Sequence, residues 1–238
     1  MSQNLKKIGI VGYGQFGQFI HKYLEKYFEV FIYKKDSQDL ESLKSLDYLI
    51  FCVPLSSLEE VCKKFKDIVT EETILIDVTS VKVKPLNLLK IHFLNNMILG
   101  THPIFGPQSG KDGIENLPIV LSNVSLPLNK FLEVKNFLSQ KLKLKIIEQT
   151  AEQHDKEMAY VHALSHFIGR ALVNMDIQDV ASATKPYKNL LEIKELLKYD
   201  TFDLFKTIQN GNPFAQGVRE EFLKNLNDLE SKLKDVII

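Results

Sequence analysis

The sequence shows no excess of charge of either sign. Its 238 residues include 30 Lys and Arg against 30 Asp and Glu, with 45% hydrophobic and 25% charged residues. This balance argues against a disordered chain and against a nucleic-acid surface built on bulk positive charge. We therefore expect the partners to be small molecules or a second copy of this chain, and we expect no nucleic acid.

Cysteine and long apolar runs are also scarce. The two cysteines, Cys52 and Cys62, have no CxxC spacing and are typical of buried thiols in a cytosolic protein. The longest strongly apolar run, YLIFCV, is far below the ~20 residues that span a bilayer. The opening KKIGIVGYG is too short and glycine-rich for the core of a signal peptide. These features predict a cytoplasmic protein without a membrane partner.

Short apolar runs alternate with helical patterns as far as residue 149. Helical spacing is found in QFGQFIHKYLEKYF and SSLEEVCKKFKDIV. Alternation of this kind predicts an α/β domain with a parallel sheet covered on both faces. The strand candidates are KIGIVG, EVFIY, DYLIFCVP, TILIDV and NMILGTH, and the sheet is extended by LPIVLS and KLKLKIIE, the last as an edge or half-buried strand.

From residue 150 onward the strand signals stop. Thr150 and Gln153 form a capping box, and a helix with one buried stripe is predicted after it. Further helical patterns predict an all-helical domain over 150–238, whose small size and several apolar faces favour a homodimer. The residues of the predicted stripe are Met158, Val161, Leu164, Ile168, Leu172 and Met175.

The glycine pattern GYGQFG lies between the first predicted strand and the first predicted helix. Glycines there permit a tight turn and let a pyrophosphate approach the helix N-terminus. A simple strand-to-helix turn is the alternative. We predict a Rossmann-type dinucleotide-binding domain over 1–149, with cofactor contacts from Gly12, Tyr13, Gly14, Gln15, Phe16 and Gly17.

The residues after the next two strands bear on the cofactor. Lys34 and Lys35 follow the second strand and Asp36 comes late, which favours NADP over NAD, although two solvated loop lysines would look the same. Val53 and Pro54 end the third strand, where a nicotinamide ring could rest. The expected cofactor is therefore NADP by preference, or NAD.

His102 stands in GTHPIFGPQSGK, a stretch whose prolines and glycines predict neither a helix nor a central strand. At a strand end an imidazole, with an ordinary pKa near 6.5, can take a hydroxyl proton while a hydride leaves the same carbon. Ser80, in DVTSVK, is a candidate to orient it; Asp77, Thr79 and Lys82 lie in the same segment. A turn histidine remains the alternative.

Further histidines lie on the predicted long helix. His162 and His166 have the spacing of a zinc helix, but the glutamate of HExxH is missing and no other ligand completes a set, so no metal is predicted. Hydrogen-bonded core histidines are the alternative for these positions and for His154. Residues 162, 166 and Arg170 share one helical face.

Together the motifs resemble the prephenate and arogenate dehydrogenases of tyrosine biosynthesis. The similar segments, in the family's order, are IGIVGYGQFGQF, LIDVTSVK, THPIFGPQSGKDGIENLP, HDKEMAYVHALSHFIGRAL and YDTFDLFKTIQNGNP. The resemblance implies NAD(P)-dependent oxidative decarboxylation, a dinucleotide-binding domain and a helical dimerisation domain. It implies that His102 is catalytic, that Ser80 helps to hold it, and that His166 binds substrate.

The sequence departs from the family where many bacterial members carry a carboxylate-binding arginine. That region reads YKNLLEIKELLK, so Arg170, or Lys185 and Lys188, would have to supply the charge. Gln108 and Ser109 follow His102 and are further candidates for substrate binding. Two alternatives stay open: another Rossmann dehydrogenase of the 3-hydroxyacid type, and a dinucleotide-binding module without catalysis.

Overall fold

The structure is a computed structural model that describes residues 5–37 and 40–234. The chain divides into two compact units, Met1–His154 and Asp155–Ile238. The division lies inside a helix, the one whose capping box predicts the start of a second domain at residue 150.

The first unit is a seven-stranded sheet with helices on both faces. Its strands are β1 (Lys7–Val11), β2 (Glu29–Tyr33), β3 (Tyr48–Phe51), β4 (Ile74–Asp77), β5 (Ile98–Pro103), β6 (Pro118–Asn123) and β7 (Lys145–Glu148). Its helices are α1 (Gln15–Leu24), α2 (Leu55–Phe65), α3 (Val83–His92) and α4 (Leu128–Asn136), with a 3₁₀ turn at Glu41–Ser45 and a π turn at Phe137–Lys141.

The strand order is β2-β1-β3-β4-β5-β6-β7. β2 lies on one side of β1 and β3 lies on the other, so the order in which strands are added reverses at β1. Such a reversal creates the crevice where doubly wound sheets bind ligands. β7 is an edge strand with exposed ends, as its alternating lysines predict. The α/β class and the Rossmann-type sheet are thus confirmed.

Two features of the sheet correct the sequence predictions. β6 runs antiparallel to β5, because the 104–117 connection contains turns but no helix and so cannot make a parallel crossover. The stretch that begins at Gly100 was predicted to contain no central strand, whereas β5 continues through Pro103; it pairs with β4 as far as Gly100 and with β6 alone beyond it.

Proline is tolerated in β5 because of where the ladder ends. Pairing with β4 stops at Gly100, and Ile104 donates its amide to the carbonyl of Pro118 at 3.0 Å. Since antiparallel pairs alternate, the nitrogen of Pro103 faces away from β6, on the side where no partner strand remains.

The core lies on both faces of the sheet. Alternate residues of β3 serve the two sides, with Leu49 and Phe51 packing towards α2 and α3, and Ile50 packing towards α1 and α4. Leu49 is fully buried, so its truncation to Ala would cost about 2–5 kcal/mol. Coverage of both faces is what the apolar strand runs predict.

Helix α5 (Ala151–Met158) begins at a capping box. The amide of Thr150 donates to Gln153 Oε1 at 3.0 Å, and the amide of Gln153 donates to Thr150 Oγ1 at 3.1 Å. Two orphan amides of the first turn are thereby satisfied. The capping box predicted from the sequence is confirmed.

The second unit is helical within its described residues. A π segment at Ala159–Leu164 leads into α6 (Ser165–Asn174), followed by α7 (Lys185–Leu197), α8 (Phe202–Gly211) and α9 (Ala215–Lys234). Thr184 and Thr201 cap α7 and α8 by accepting amides of their first turns. Its small core is Ala163, Ile208 and Ala215, with Leu204 packed against it.

The predicted buried stripe is only partly correct. Met158 and Leu172 are buried, but Val161 is 63% exposed and Met175 is 69% exposed. The π segment accounts for the difference, since its wider turn rotates the following residues relative to an ideal 3.6-residue period. Ala159 and Ala163 occupy the buried positions instead.

Candidate active site

The glycine loop joins β1 to α1 and is shaped by contacts that only glycine allows. Gly12 has φ +92°, and a Cβ there would lie 2.6 Å from the carbonyl oxygen of Cys52. A Cβ on Gly17 would lie 2.2 Å from the carbonyl oxygen of Gly12. The amide of Gly12 donates to the carbonyl of Tyr33 at 2.9 Å, which ties the loop to the end of β2.

Gly14 has a different role, because a Cβ on it would meet nothing within 4 Å. It is the N-cap of α1, it makes no side-chain cap, and the first turn of the helix contains no acid. An uncapped helix N-terminus beside open space is where amides and the helix dipole favour an anion. The loop therefore fits the pyrophosphate of a dinucleotide, with Gly14, Gln15 and Phe16 next to it.

The end of β2 brings one lysine to this loop. Lys34 Nζ lies 5.6 Å from the ring centroid of Tyr13, whose hydroxyl is 2.6 Å from His21 Nδ1. The Lys34 amide donates to Ser37 Oγ at 2.9 Å, and Lys34, Lys35 and Asp36 are all exposed. Of the two predicted lysines, Lys34 is thus the one in contact with the glycine loop.

The end of β3 lines the other side of the crevice. Val53 is half-buried, and its Cγ1 would be 2.8 Å from a Cβ on Gly12, so it packs directly against the loop. Pro54 is exposed and stands at the N-cap position of α2, where it makes no side-chain hydrogen bond. Burial and the negative charge of Asp77 raise the pKa of the Cys52 thiol well above its usual range, so the thiol stays protonated.

Both cysteines are free thiols. Burial is the main cause that raises the pKa of Cys62 to about 12. Neither thiol therefore supplies a nucleophile at neutral pH.

His102 lies near the carboxyl end of β5, opposite Val120 of β6. Its side chain is 6% exposed, and its Nδ1 is 2.8 Å from Nε2 of His154, which is 0% exposed. The two rings are 5.0 Å apart between centroids and inclined by 73°. The residue predicted as the base is therefore buried and has a defined hydrogen-bond partner.

A buried ion pair joins Asp77, the last residue of β4, to Lys82, and both side chains are 0% exposed. The amide of Thr79 donates to Asp77 Oδ1 at 3.2 Å, and the hydroxyl of Thr101 donates to the Asp77 carbonyl at 2.9 Å. Ser80 lies half-buried inside this turn. The bond from Thr101 thereby fixes the turn to β5 at the residue before His102. The orienting role of Ser80 stays a prediction.

The loop after β5 carries the other predicted residues. Ser109 Oγ accepts the amide of Gly106 at 3.0 Å, which closes a turn, and Gln108 is exposed. Phe105 packs edge-on against Phe19 of α1 at 6.3 Å between centroids. Ser109 thus has a local structural role, and substrate contacts by Gln108 and Ser109 stay predictions.

In the second unit His166 is bonded to Asp200, with 3.2 Å between Nδ1 and Oδ2. Burial, with the positive charge of Arg170, lowers the pKa of His166 to about 4. The imidazole is neutral at pH 7, so this contact is a hydrogen bond rather than an ion pair. Burial raises the pKa of Asp200.

Arg170 approaches the same residue from another side. Its Nη2 donates to the backbone carbonyl of Asp200 at 2.7 Å, and its guanidinium lies 5.5 Å from the ring centroid of Phe205. The His162 ring packs against His166 at 4.4 Å between centroids. Asp200 was not predicted as a site residue, although it stands in YDTFDLFKTIQNGNP, one of the segments that resemble the family.

Lys185 and Lys188, the other candidates for binding a carboxylate, are exposed on α7. Lys185 lies 4.0 Å from Glu192. Across 5–37 and 40–234, no group of three or more His, Cys, Asp or Glu side chains is arranged to hold a metal ion. In those same ranges no helix has both the length and the apolar character needed to cross a bilayer.

Comparison with known proteins identifies the family. Residues 23–147 match the family model described as "Prephenate dehydrogenase, nucleotide-binding domain". The chain belongs to the prephenate dehydrogenase family. A second model, "TYRAAT1-like, C-terminal domain", matches residues 171–237.

Two family relatives come from Arabidopsis thaliana. "Arogenate dehydrogenase 1, chloroplastic" is 31% identical over 257 residues, which cover 95% of this chain and 39% of the relative. "Arogenate dehydrogenase 2, chloroplastic" is 29% identical and covers 88% of this chain and 64% of the relative. The chain thus spans less than two thirds of the length of either relative.

Solved structures share the fold of this family member. Prephenate dehydrogenase from A. aeolicus, in complex with hydroxyphenyl propionate and NAD+, has a TM-score of 0.75 at 20% identity, over 99% of this chain and 93% of that chain. Synechocystis arogenate dehydrogenase has a TM-score of 0.73 at 18% identity, over 96% and 92%.

Proposed function

We propose that this chain catalyses the NAD(P)-dependent oxidative decarboxylation of prephenate or arogenate in tyrosine biosynthesis. The observation that carries the proposal is the buried, hydrogen-bonded His102 near the carboxyl end of β5. The glycine loop follows β1 at the same edge of the sheet, three strands away. At the usual strand spacing this separation is about 14 Å, which suits a ligand as extended as a dinucleotide.

The proposed role of His102 is to hold the substrate hydroxyl and take its proton. That proton passes to the imidazole, the hydrogen on the same carbon leaves as hydride, and the bond to the ring carboxylate breaks so that its electron pair completes an aromatic ring as carbon dioxide departs. A bound NAD(P) would supply the hydride acceptor. The imidazolium then returns its proton to the phenolate oxygen, so that the product is a phenol. Release of carbon dioxide and formation of the aromatic ring make the step effectively irreversible.

The proposed cofactor contacts are the glycine-loop residues, Lys34, Val53 and Pro54. NADP is favoured because Lys34 is held beside Tyr13, where a cation suits the extra phosphate. Lys34→Gln should raise KM for NADP by about tenfold or more while changing KM for NAD little, since one charge-assisted hydrogen bond is lost. Lys90→Gln, on α3, is the control lysine replacement. An equal effect on both cofactors would contradict the preference.

The proposed substrate contacts are His166, Arg170, Gln108 and Ser109. Arg170 supports this role because its guanidinium, whose planar fork suits a carboxylate, is half-buried and lies 5.5 Å from the ring centroid of Phe205. A homodimer through the second unit is also proposed. It is supported by an exposed apolar stripe on α9, at spacings of three and four: Leu223, Leu226, Leu229 and Leu233.

The test is a spectrophotometric assay of reduced cofactor with prephenate and arogenate, each with NAD and NADP. Turnover with at least one pair is expected, and His102→Asn should lower kcat by about 10²–10⁴-fold with cofactor affinity unchanged. Absence of turnover with every pair would refute the proposal. Dinucleotide binding without turnover would instead indicate a binding module.

A further inference from the structure

His102 and His154 form a buried pair of imidazoles with one hydrogen bond between them. The bond joins His102 Nδ1 to His154 Nε2 at 2.8 Å, and both residues are at least nine-tenths buried. The two residues are 52 positions apart in the chain. Both belong to the first compact unit, so this contact is part of the sheet domain itself.

A neutral imidazole carries one N–H and one lone pair, so the direction of this bond fixes both tautomers. If His102 Nδ1 donates, its Nε2 bears the lone pair and can accept a proton from a substrate hydroxyl. If His154 Nε2 donates instead, His102 must be protonated at Nε2 and cannot act as the base. Which ring nitrogen of His154 carries the proton therefore decides whether Nε2 of His102 can accept the substrate proton.

We propose that His154 is a positioning residue that holds His102 in the tautomer protonated at Nδ1 and fixes the plane of its ring. The inference rests on the proposed function, because it gives His102 the role of proton acceptor. His154 has the part that a carboxylate plays behind the histidine of a Ser-His-Asp triad, with a neutral ring as the acceptor. Once His102 has taken a proton, the same bond becomes charge-assisted and stronger.

The backbone on each side of this pair is held by regular hydrogen bonds. His102 lies in the β5–β6 ladder, opposite Val120. His154 lies in the first turn of α5, and its amide donates to the carbonyl of Thr150 at 3.0 Å. The capping box between Thr150 and Gln153 fixes the same turn. A sheet and a capped helix therefore set the distance between the two rings.

The experiment compares two replacements of His154 in the full chain. His154→Gln keeps an acceptor oxygen at about the reach of Nε2, whereas His154→Met keeps the volume and loses the acceptor. We expect Met to lower kcat by about 10²-fold or more, within the range of a lost acid-base contribution. We expect Gln to recover at least tenfold of that loss. Binding of NADP should stay within twofold of wild type in both variants, and His92→Gln is the control.

A second readout separates positioning from mere packing. Long-range ¹⁵N NMR of the His102 ring should show protonation at Nδ1 in the wild type and a shift towards the Nε2–H tautomer in His154→Met. Wild-type protonation at Nε2, or wild-type kcat in a folded Met variant, would overturn the inference. If the His154→Met variant does not fold, the wild-type spectrum and the kcat of His154→Gln still test the proposal. The spectrum needs no turnover, so failure of the proposed function is distinguishable from failure of the inference.

Discussion

Replacement of Lys82 by Met should destabilise the chain strongly. Lys82 and Asp77 are both 0% exposed and form an ion pair with each other. Removal of the ammonium leaves the carboxylate buried, while the amide of Thr79 still donates to Asp77 Oδ1 at 3.2 Å. The Thr79 hydroxyl is 3.1 Å from Asp77 Oδ2 but 2.8 Å from the carbonyl of Val81, so its one hydrogen is shared between two acceptors. These neutral donors offset only part of the loss of a charge partner.

The expected magnitude follows from these contacts. Breaking a buried pair by removing one partner typically costs about 3–5 kcal/mol. At about 2–4 °C per kcal/mol for a chain of this size, the thermal midpoint of the first unit should fall by roughly 6–20 °C. Removing both charges should cost much less, because a neutral, well-packed replacement avoids the desolvation of either ion.

The assay is a double-mutant cycle of Lys82→Met, Asp77→Asn and the pair, followed by urea unfolding with circular dichroism. The double variant should be at least about 2 kcal/mol more stable than the sum of the single effects predicts. Lys84→Met, at an exposed position two residues away, is the matched control and should change stability by less than about 0.5 kcal/mol. Additive single effects, or a Lys82→Met cost below about 1 kcal/mol, would refute the reasoning.

Three further predictions concern the glycine loop, His166 and α9. Gly17→Ala should lower the free energy of unfolding by about 1–3 kcal/mol, because its Cβ would meet the Gly12 carbonyl. Gly14→Ala should fold normally and lose dinucleotide affinity in a titration. Equal stabilities of the two variants would contradict this prediction. His166 has a folded pKa of about 4, below its unfolded 6.5, so the stability that its neutral form contributes is present above pH 6.5 and lost as pH falls towards 4. From pH 7 to pH 5 that loss is about 2 kcal/mol, partly offset by the raised pKa of Asp200, and unfolding of His166→Gln should show a flatter pH profile. Leu226→Glu with Leu229→Glu should halve the mass measured by light scattering without loss of helicity, and an unchanged mass would exclude α9 from the interface.

Features that depend on neighbouring residues could be predicted from the sequence. The strand and helix order, the glycine loop and the capping box at Thr150 all follow from patterns a few residues long. The rest depends on tertiary contacts. β6 runs antiparallel to β5 because the 104–117 connection contains no helix. Val161 is exposed because a π segment changes the direction in which the helix residues point, and sequence periodicity does not encode that change.

The residues of the site were predictable, but their pairing was not. Asp77, Lys82 and His154 stand in segments that the sequence marks as candidates, yet nothing local indicates that two of them form a buried ion pair and the third bonds His102. In the sequence, a helical histidine that bonds a site residue looks the same as a helical histidine that only fills the core. Only the placement of β5 beside the first turn of α5 separates the two interpretations.

Asp77 joins the two segments that carry the proposed chemistry. Its carboxylate contacts Lys82 and Thr79, which fixes the turn containing Ser80, and its carbonyl accepts the hydroxyl of Thr101, the residue before His102. The positions of Ser80 and His102 are therefore coupled through one residue that need not touch a substrate. Because this coupling acts through the positions of Ser80 and His102, a change at Asp77 should lower kcat by more than the loss of stability explains. The buried charge at Asp77 would then serve to position the site residues rather than to stabilise the fold.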